Sequence, residues 1–187
     1  FVQILDPATG TGTFPVEVID NIHKTMTSKW RSMGKRDTEI KQSWNEYVPK
    51  YLLPRLHGYE LMMAPYAIAH MKVGLKLFET GYDFNSNERA RIYLTNALDS
   101  VKDTSGILSF AIPALSRESQ SVNNIKLKQK FTIILGNPPY SGHSWNLHTE
   151  AKSLVDKYRY IDNQKIKEKG ALQFEKNLQD DYVKFFS

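Results

Sequence analysis

The sequence predicts an α/β fold: a mostly parallel sheet flanked by helices. Two observations carry this. Short apolar runs of strand length alternate with longer stretches at helical spacing, the pattern of βαβ units. In addition, the four strand-like runs end at or just before polar residues, Asp6, Glu60, Asn96 and Asn137. In a parallel sheet these would gather at one edge, where ligands of such sheets bind.

Each element has its own signal. Val2–Leu5 is a short apolar strand that stops at Asp6, before the Gly/Thr-rich stretch "DPATGTGTF". A helix is expected to run from Pro15, a residue suited to a first turn, through Val16, Val18, Ile19 and Ile22. Residues 37–50 suggest a polar second helix, which Pro49 and Pro54 would break around "KYLL". "RLHGYEL" at 55–61 reads as the second strand, ending in an acid. Helical spacing then runs over 62–80 through Met63, Tyr66, Ala67, His70, Val73 and Leu77, with Gly81 as the cap. A polar loop over 82–90 leads to a third strand, "RIYLTNAL", at 91–98. Residues 107–120 suggest a helix. "FTIIL" at 131–135 is the most apolar strand, as a central one buried on both faces would be. From about 146 to 186 the pattern is helical in two pieces, divided near Gly170.

Composition bounds the class. With 187 residues and 41% hydrophobic content, the chain suits one domain with a real core. There is no cysteine, so disulfides and cysteine-based zinc sites are excluded and a cytoplasmic location is the simplest expectation. No run nears the roughly 20 apolar residues of a membrane helix, and no membrane partner is expected. The N-terminus does not resemble a signal peptide. Both ends stop mid-pattern, so a fragment of a larger protein, lacking later strands, is expected. The net charge is +5. Residues 23–36 carry Lys24, Lys29, Arg31, Lys35 and Arg36 without an acid, and "KLKQK" carries Lys126, Lys128 and Lys130. Such clusters are usually solvated faces; contact with nucleic acid is the sharper alternative.

Gly10 and Gly12 follow the first strand directly, and glycine lets backbone approach a ligand closely. No Gly-Lys-Ser/Thr comes next, so this is not a phosphate-binding P-loop. Pro15 stands where a dinucleotide fingerprint has its third glycine. A plain tight turn is the alternative. Glu60, ending the second strand, is placed to accept hydrogen bonds from ribose hydroxyls, or is simply an acid favoured at a helix start. Gly10, Gly12 and Glu60 together suggest a nucleoside ligand without a pyrophosphate. "ILGNPPY" at 134–140 ends a strand abruptly and stiffens the turn after it, because proline lacks a donor and restricts its predecessor.

In this order, "DPATGTGTF", "GYELMMAPYAIAH", "IYLTNAL" and "ILGNPPY" resemble amino-methyltransferases that use S-adenosylmethionine. The Asn-Pro-Pro-Tyr tetrad is the hallmark of the DNA adenine-N6 branch, and cofactor motif before catalytic motif matches its γ group. "ELMMAPYAIAHMKV" and "NLQDDYVKFF" further resemble the methyltransferase part of large single-chain restriction-modification enzymes. The resemblance implies a Rossmann-like methyltransferase fold, with residues 1–187 as its cofactor-binding and catalytic part.

It also implies residue roles. Asp6, Ala8, Gly10 and Gly12 would hold the methionine end of S-adenosylmethionine. Glu60 would bind its ribose hydroxyls, with Leu61 or Met62 against its adenine. Asn96 stands where the family often has an acid facing the cofactor's adenine; an amide can also pair there. Asn137 and the Pro138 carbonyl would accept hydrogen bonds from the target amine, Pro139 would hold the bend, and Tyr140 would stack on an adenine flipped out of double-stranded DNA. The partners so implied are that DNA and the remaining parts of a parent chain: a target-recognition domain, and nuclease and helicase parts. The fragment by itself is expected to show little turnover. Competing expectations are a methyltransferase for another planar amide or amine, such as protein glutamine, and a module that binds cofactor or DNA without catalysis.

Other residues carry a blander reading. Tyr140 could be a half-buried loop tyrosine. Trp145 divides evenly between DNA contact and packing. His70 reads as a core histidine. His143 and His148 lack metal-ligand spacing to acids, and no metal is expected. Met62 and Met63 are as often core fillers as cofactor contacts.

Overall fold

The computed structural model describes residues 2–98, 122–140, 149–161, 164–165 and 180–185. It contains a four-stranded, all-parallel sheet in the order β3-β2-β1-β4. The strands are β1 (Ile4–Asp6), β2 (Leu56–Glu60), β3 (Arg91–Leu94) and β4 (Ile133–Ile134). Three of the helices are α1 (Thr13–Ser32), α2 (Asp37–Tyr47) and α3 (Met63–Glu79). A fourth, α4, spans 122–128. The α/β class read from the sequence holds.

Alternation along the strands divides two cores. One face of the sheet carries Ile4, Leu56 and Ile92 against Ile19 of α1, Trp44 of α2, and Ala69, Val73 and Leu77 of α3. The other carries Leu5, Tyr59 and Tyr93 against Val122 and Ile125 of α4. His57 also points to that second face: its ring lies 5.1 Å from Phe131 and 6.5 Å from Tyr93. Desolvation is the main reason its pKa falls to about 4, so it is neutral in the fold at neutral pH.

Three expectations are refined. The second α-helix ends at Tyr47, just before Pro49, but the chain stays helical: Val48–Leu52 follows as a π-helical turn and Leu53–Arg55 as a 3₁₀ turn. Each proline falls in the first turn of its own segment, where a missing N–H costs nothing. Leu52 and Leu53 are buried as a result. Second, among the described residues β4 pairs with β1 alone, and Ile133 and Ile134 are 42% and 67% exposed; the second neighbour and the cover expected of a central strand are not among the described residues. Third, the tail is not all helix. After α5 (Thr149–Asp156), Tyr160–Ile161 pairs antiparallel with Gln164–Lys165, giving β5 and β6, before α6 (Asp181–Phe185). The helix expected over 107–120, Trp145, His143, His148 and the division near Gly170 lie outside the described residues.

The α3 terminus follows its sequence. Gly81 has φ +84° and donates to the Phe78 carbonyl at 2.9 Å, while Tyr82 donates to Leu77 at 3.0 Å. This is the C-terminal cap the glycine predicts. No helix among the described residues is long and apolar enough to cross a membrane.

Candidate active site

The strand order reverses between β1 and β4: from β1 the chain steps to β2 and β3 on one side, then returns to β4 on the other. A crevice at such a reversal, outside the carboxyl ends of the strands, is where open α/β sheets bind ligands. Here the "DPATGTG" turn leaves β1 and the "GNPPY" turn leaves β4, side by side.

The first turn is built by hydrogen bonds. Asp6 Oδ1 accepts the Ala8 N–H at 3.1 Å, and the Thr9 hydroxyl donates to the Asp6 carbonyl at 3.1 Å. Thr9 N–H reaches across to the Tyr59 carbonyl of β2 at 2.9 Å, and Gly12 N–H closes on Thr9 at 2.9 Å. Gly12 then starts α1 with φ +83°; a Cβ there would stand 3.0 Å from the Ala69 Cα of α3. Only glycine permits both that backbone and that approach. The first turn of α1 contains no acid, so its free N–H groups offer a positive end towards the crevice.

Glu60 fastens the turn from the neighbouring strand. Its Oε2 accepts the Gly10 N–H at 2.8 Å and its Oε1 accepts the Met62 N–H at 2.8 Å. One carboxylate thus holds the turn and the entry to α3 together. Each oxygen retains a lone pair for a further donor. Beside it Leu61 and Met62 are 64% and 63% exposed, an apolar surface at the crevice rather than core filling. Met63 is exposed as well.

Asp6 is the electrostatic centre. It is fully buried, and its Oδ2 has no hydrogen-bond partner among the described residues. Burial pushes its pKa up to about 6, against the lowering effect of the Ala8 N–H; the Glu60 charge adds to the rise. A buried carboxylate oxygen without a donor fits a cationic or hydrogen-bonding ligand group. The ammonium and methionine end of S-adenosylmethionine has that character, and the Glu60 carboxylate suits its ribose, so the residues present fit this cofactor.

Asn96 lies two residues beyond β3. Its Oδ1 accepts the Leu98 N–H at 3.0 Å and its backbone carbonyl accepts Lys126 Nζ at 2.6 Å. The amide is thereby tied into its own turn.

The second turn leans on the first. Leu135 N–H donates to the Leu5 carbonyl at 2.9 Å, extending the β1–β4 ladder. At Gly136 a Cβ would come within 2.7 Å of Asp6 Oδ1 and 3.4 Å of Pro7 Cδ. The turn therefore passes directly over Asp6, and only because position 136 has no side chain. Pro138 is buried, while Asn137, Pro139 and Tyr140 are exposed. The Asn137 amide makes no hydrogen bond among the described residues. Tyr140 lies against Tyr182 of α6, with ring centroids 4.7 Å apart and planes 17° from parallel.

The sequence-predicted residues Asp6, Ala8, Gly10, Gly12 and Glu60 thus form one bonded unit, and Gly136 joins the Asn137–Tyr140 turn to it. Sequence reasoning missed Thr9, which staples the turn to two strands, and Tyr182. The threonine was visible only as one of several in a polar turn; the tyrosine sat in "NLQDDYVKFF" without an assigned role. The basic cluster of α1 does not share this edge. A 20-residue helix is about 30 Å long, and α1 begins at the crevice, so Lys29 to Arg36 stand at its far end. There Arg31 pairs with Asp37 at 3.0 Å and Lys35 donates to Ser43 at 2.6 Å. Among the described residues no group of three carboxylates or histidines gathers as metal ligands.

The family model described as N-6 DNA Methylase matches residues 2–177. The chain belongs to the N-6 DNA methylase family. Among curated proteins none matches the chain. Among solved structures, the fold is similar to that of a nuclease-deletion mutant of the Type ISP restriction-modification enzyme LlaGI in complex with a DNA substrate mimic. That match has a TM-score of 0.66 and 21% identity, covering 99% of this chain and 14% of the other. The ATP-dependent Type ISP restriction-modification enzyme LlaBIII bound to DNA matches with a TM-score of 0.65 and 22% identity, over 99% and 12%. A DrdV–DNA complex matches with 0.56 and 24%, over 99% and 16%. The chain therefore spans about one seventh of these proteins' length.

Proposed function

We propose that this chain is the cofactor-binding and catalytic part of an enzyme that methylates the exocyclic N6 amine of adenine in DNA, within a larger restriction-modification polypeptide. The observation that carries this reading is the Asn137–Tyr140 turn seated on Asp6 at the point of strand reversal. S-adenosylmethionine, when bound, supplies an electrophilic sulfonium methyl group. Asp6, Ala8, Gly10 and Gly12 would hold its methionine end, Glu60 would bind its ribose, Leu61 or Met62 would lie against its adenine, and Asn96 would pair with that adenine.

The rest of the chemistry belongs to the target turn. The adenine amine is a weak nucleophile because its lone pair is delocalised into the ring. Asn137 Oδ1 and the Pro138 carbonyl accept its two hydrogens and draw the nitrogen towards tetrahedral geometry, which frees the lone pair. The prolines pre-set both acceptors, so little reorganisation remains. No strong base is needed because the cationic methylated amine readily gives its proton to water, and alignment of the reacting atoms supplies most of the rate. Tyr140 offers a ring face to a base that has left the stack. The DNA named in the complexes of the similar proteins supports a DNA substrate, and the short share of their length supports a need for further domains. The exposed β4 residues support little turnover by the chain alone.

Calorimetry with S-adenosylmethionine tests the cofactor site: the folded chain should bind it. The polypeptide carrying this chain should then transfer labelled methyl to adenine in duplex DNA. Label on protein glutamine would move the reading to the other known use of such a turn, and no binding by a folded chain would overturn both.

A further inference from the structure

Tyr140 is 73% exposed, yet part of its ring is already covered. Tyr182 lies on it nearly parallel at 4.7 Å, the offset-stacked arrangement aromatic pairs prefer. The neighbouring Tyr140 hydroxyl also raises the pKa of Tyr182. Tyr182 itself is well anchored. Its N–H donates to Asp180 Oδ1 at 3.0 Å. Two residues on, Lys184 Nζ meets Asp181 Oδ1 at 3.2 Å, with both side chains buried. α6, which carries these groups, packs against α5.

We propose that Tyr182 is a positioning residue for the target base: it fixes the ring plane of Tyr140, so that a flipped adenine completes a three-ring stack on the opposite face. The proposal rests on the reading of Tyr140 as the base platform. An exposed tyrosine on a turn otherwise has two free side-chain torsions, and ordering them on binding weakens association. With Tyr182 behind it, Tyr140 is ordered before the base arrives. A second geometry is open to the same pair, in which Tyr182 occupies the base's own place and must be displaced. The two differ in sign: a backing ring helps the base bind, a placeholder hinders it.

The experiment uses the polypeptide carrying this chain, first to find which adenine in duplex DNA it methylates. A duplex with 2-aminopurine at that adenine then reports unstacking by its fluorescence. Tyr182→Ala should raise KM for DNA by roughly 2- to 10-fold, the scale of an aromatic pair, and lower the 2-aminopurine signal at a given protein concentration. Tyr182→Phe should restore most of both, since the ring does the backing. Binding of S-adenosylmethionine should be unchanged in each variant, which establishes that it is folded. An unchanged KM and signal in Tyr182→Ala overturns the proposal, as does tighter base binding, the mark of a placeholder. If the unaltered protein methylates no adenine, the underlying reading fails, a result separate from any difference among Tyr182 variants.

Discussion

The two turns at the crevice are built in opposite ways. The first, from Asp6 to Gly12, is closed on itself: its N–H groups find Asp6, Thr9, Tyr59 and Glu60, and one buried carboxylate oxygen is left over. The second, from Gly136 to Tyr140, is open: Asn137 has no hydrogen-bond partner among the described residues, and Tyr140 stands in solvent with another tyrosine at its back. The difference matches what each would handle. A cofactor common to every turnover suits a site made ready by its own backbone. A base delivered from a duplex requires a site with room to receive it, stiffened by proline rather than by hydrogen bonds.

The sharpest way to separate the turns is Asn137→Ala. It removes an acceptor from the open turn and touches nothing in the closed one. Methyl transfer should fall by about 10³-fold, the scale for losing one preorganised polar group, while cofactor affinity by calorimetry stays within a few-fold. Equal loss of both would show that the turns are not separable.

Asp6→Asn should act in the other direction on stability. Burial raises the folded pKa of Asp6 from 3.8 to about 6. An acid with a raised folded pKa holds its proton more tightly in the fold. Its contribution is full below about pH 4 and is lost as pH rises through 6, a loss on the order of 3 kcal/mol. Asparagine does not ionise, so urea unfolding should show Asp6→Asn gaining on the unaltered chain between pH 4 and pH 7. The difference cancels the separate titration of His57. Cofactor binding should weaken in the same variant, because the lone buried oxygen loses its charge.

Gly136→Ala attacks the place where the turns meet. Its Cβ would lie 2.7 Å from Asp6 Oδ1, so an overpacking cost of about 1–3 kcal/mol is expected in urea unfolding, with cofactor affinity and methyl transfer both reduced. Glu60→Gln is the mildest change. One amide oxygen remains for Gly10 or Met62 but not both, so roughly 1 kcal/mol of stability should go. Calorimetry should show weaker cofactor binding, with the chemical step of bound complexes unchanged.

Much of this was legible in the chain. Strand, turn and helix around residues 2–22 and 55–81 followed from apolar spacing and from Gly81, and the site motifs stood where the strand ends required. The order of strands was not legible. Apolar runs reveal that β1 and β4 are buried somewhere, but pairing is a long-range choice that leaves no local mark. For the same reason "FTIIL" suggested a central strand but not which strands flank it, and among the described residues only β1 does. Pro49 and Pro54 marked where the α-helix gives way, but not that each opens a new helical turn. Tyr182 was hidden by distance: nothing in residues 180–185 announces a ring at 140.

The meeting of Gly136 with Asp6 has a consequence for how this site tolerates rearrangement of its gene. The two halves are joined by ladder hydrogen bonds and a missing methyl, across about 130 residues of sequence. The contact uses only residues next to the two turns, such as Pro7 and Leu135. A polypeptide opened in the polar stretch over 82–90, with its pieces supplied separately or in reversed order, would lose linkage but keep every interaction that brings the cofactor turn to the target turn.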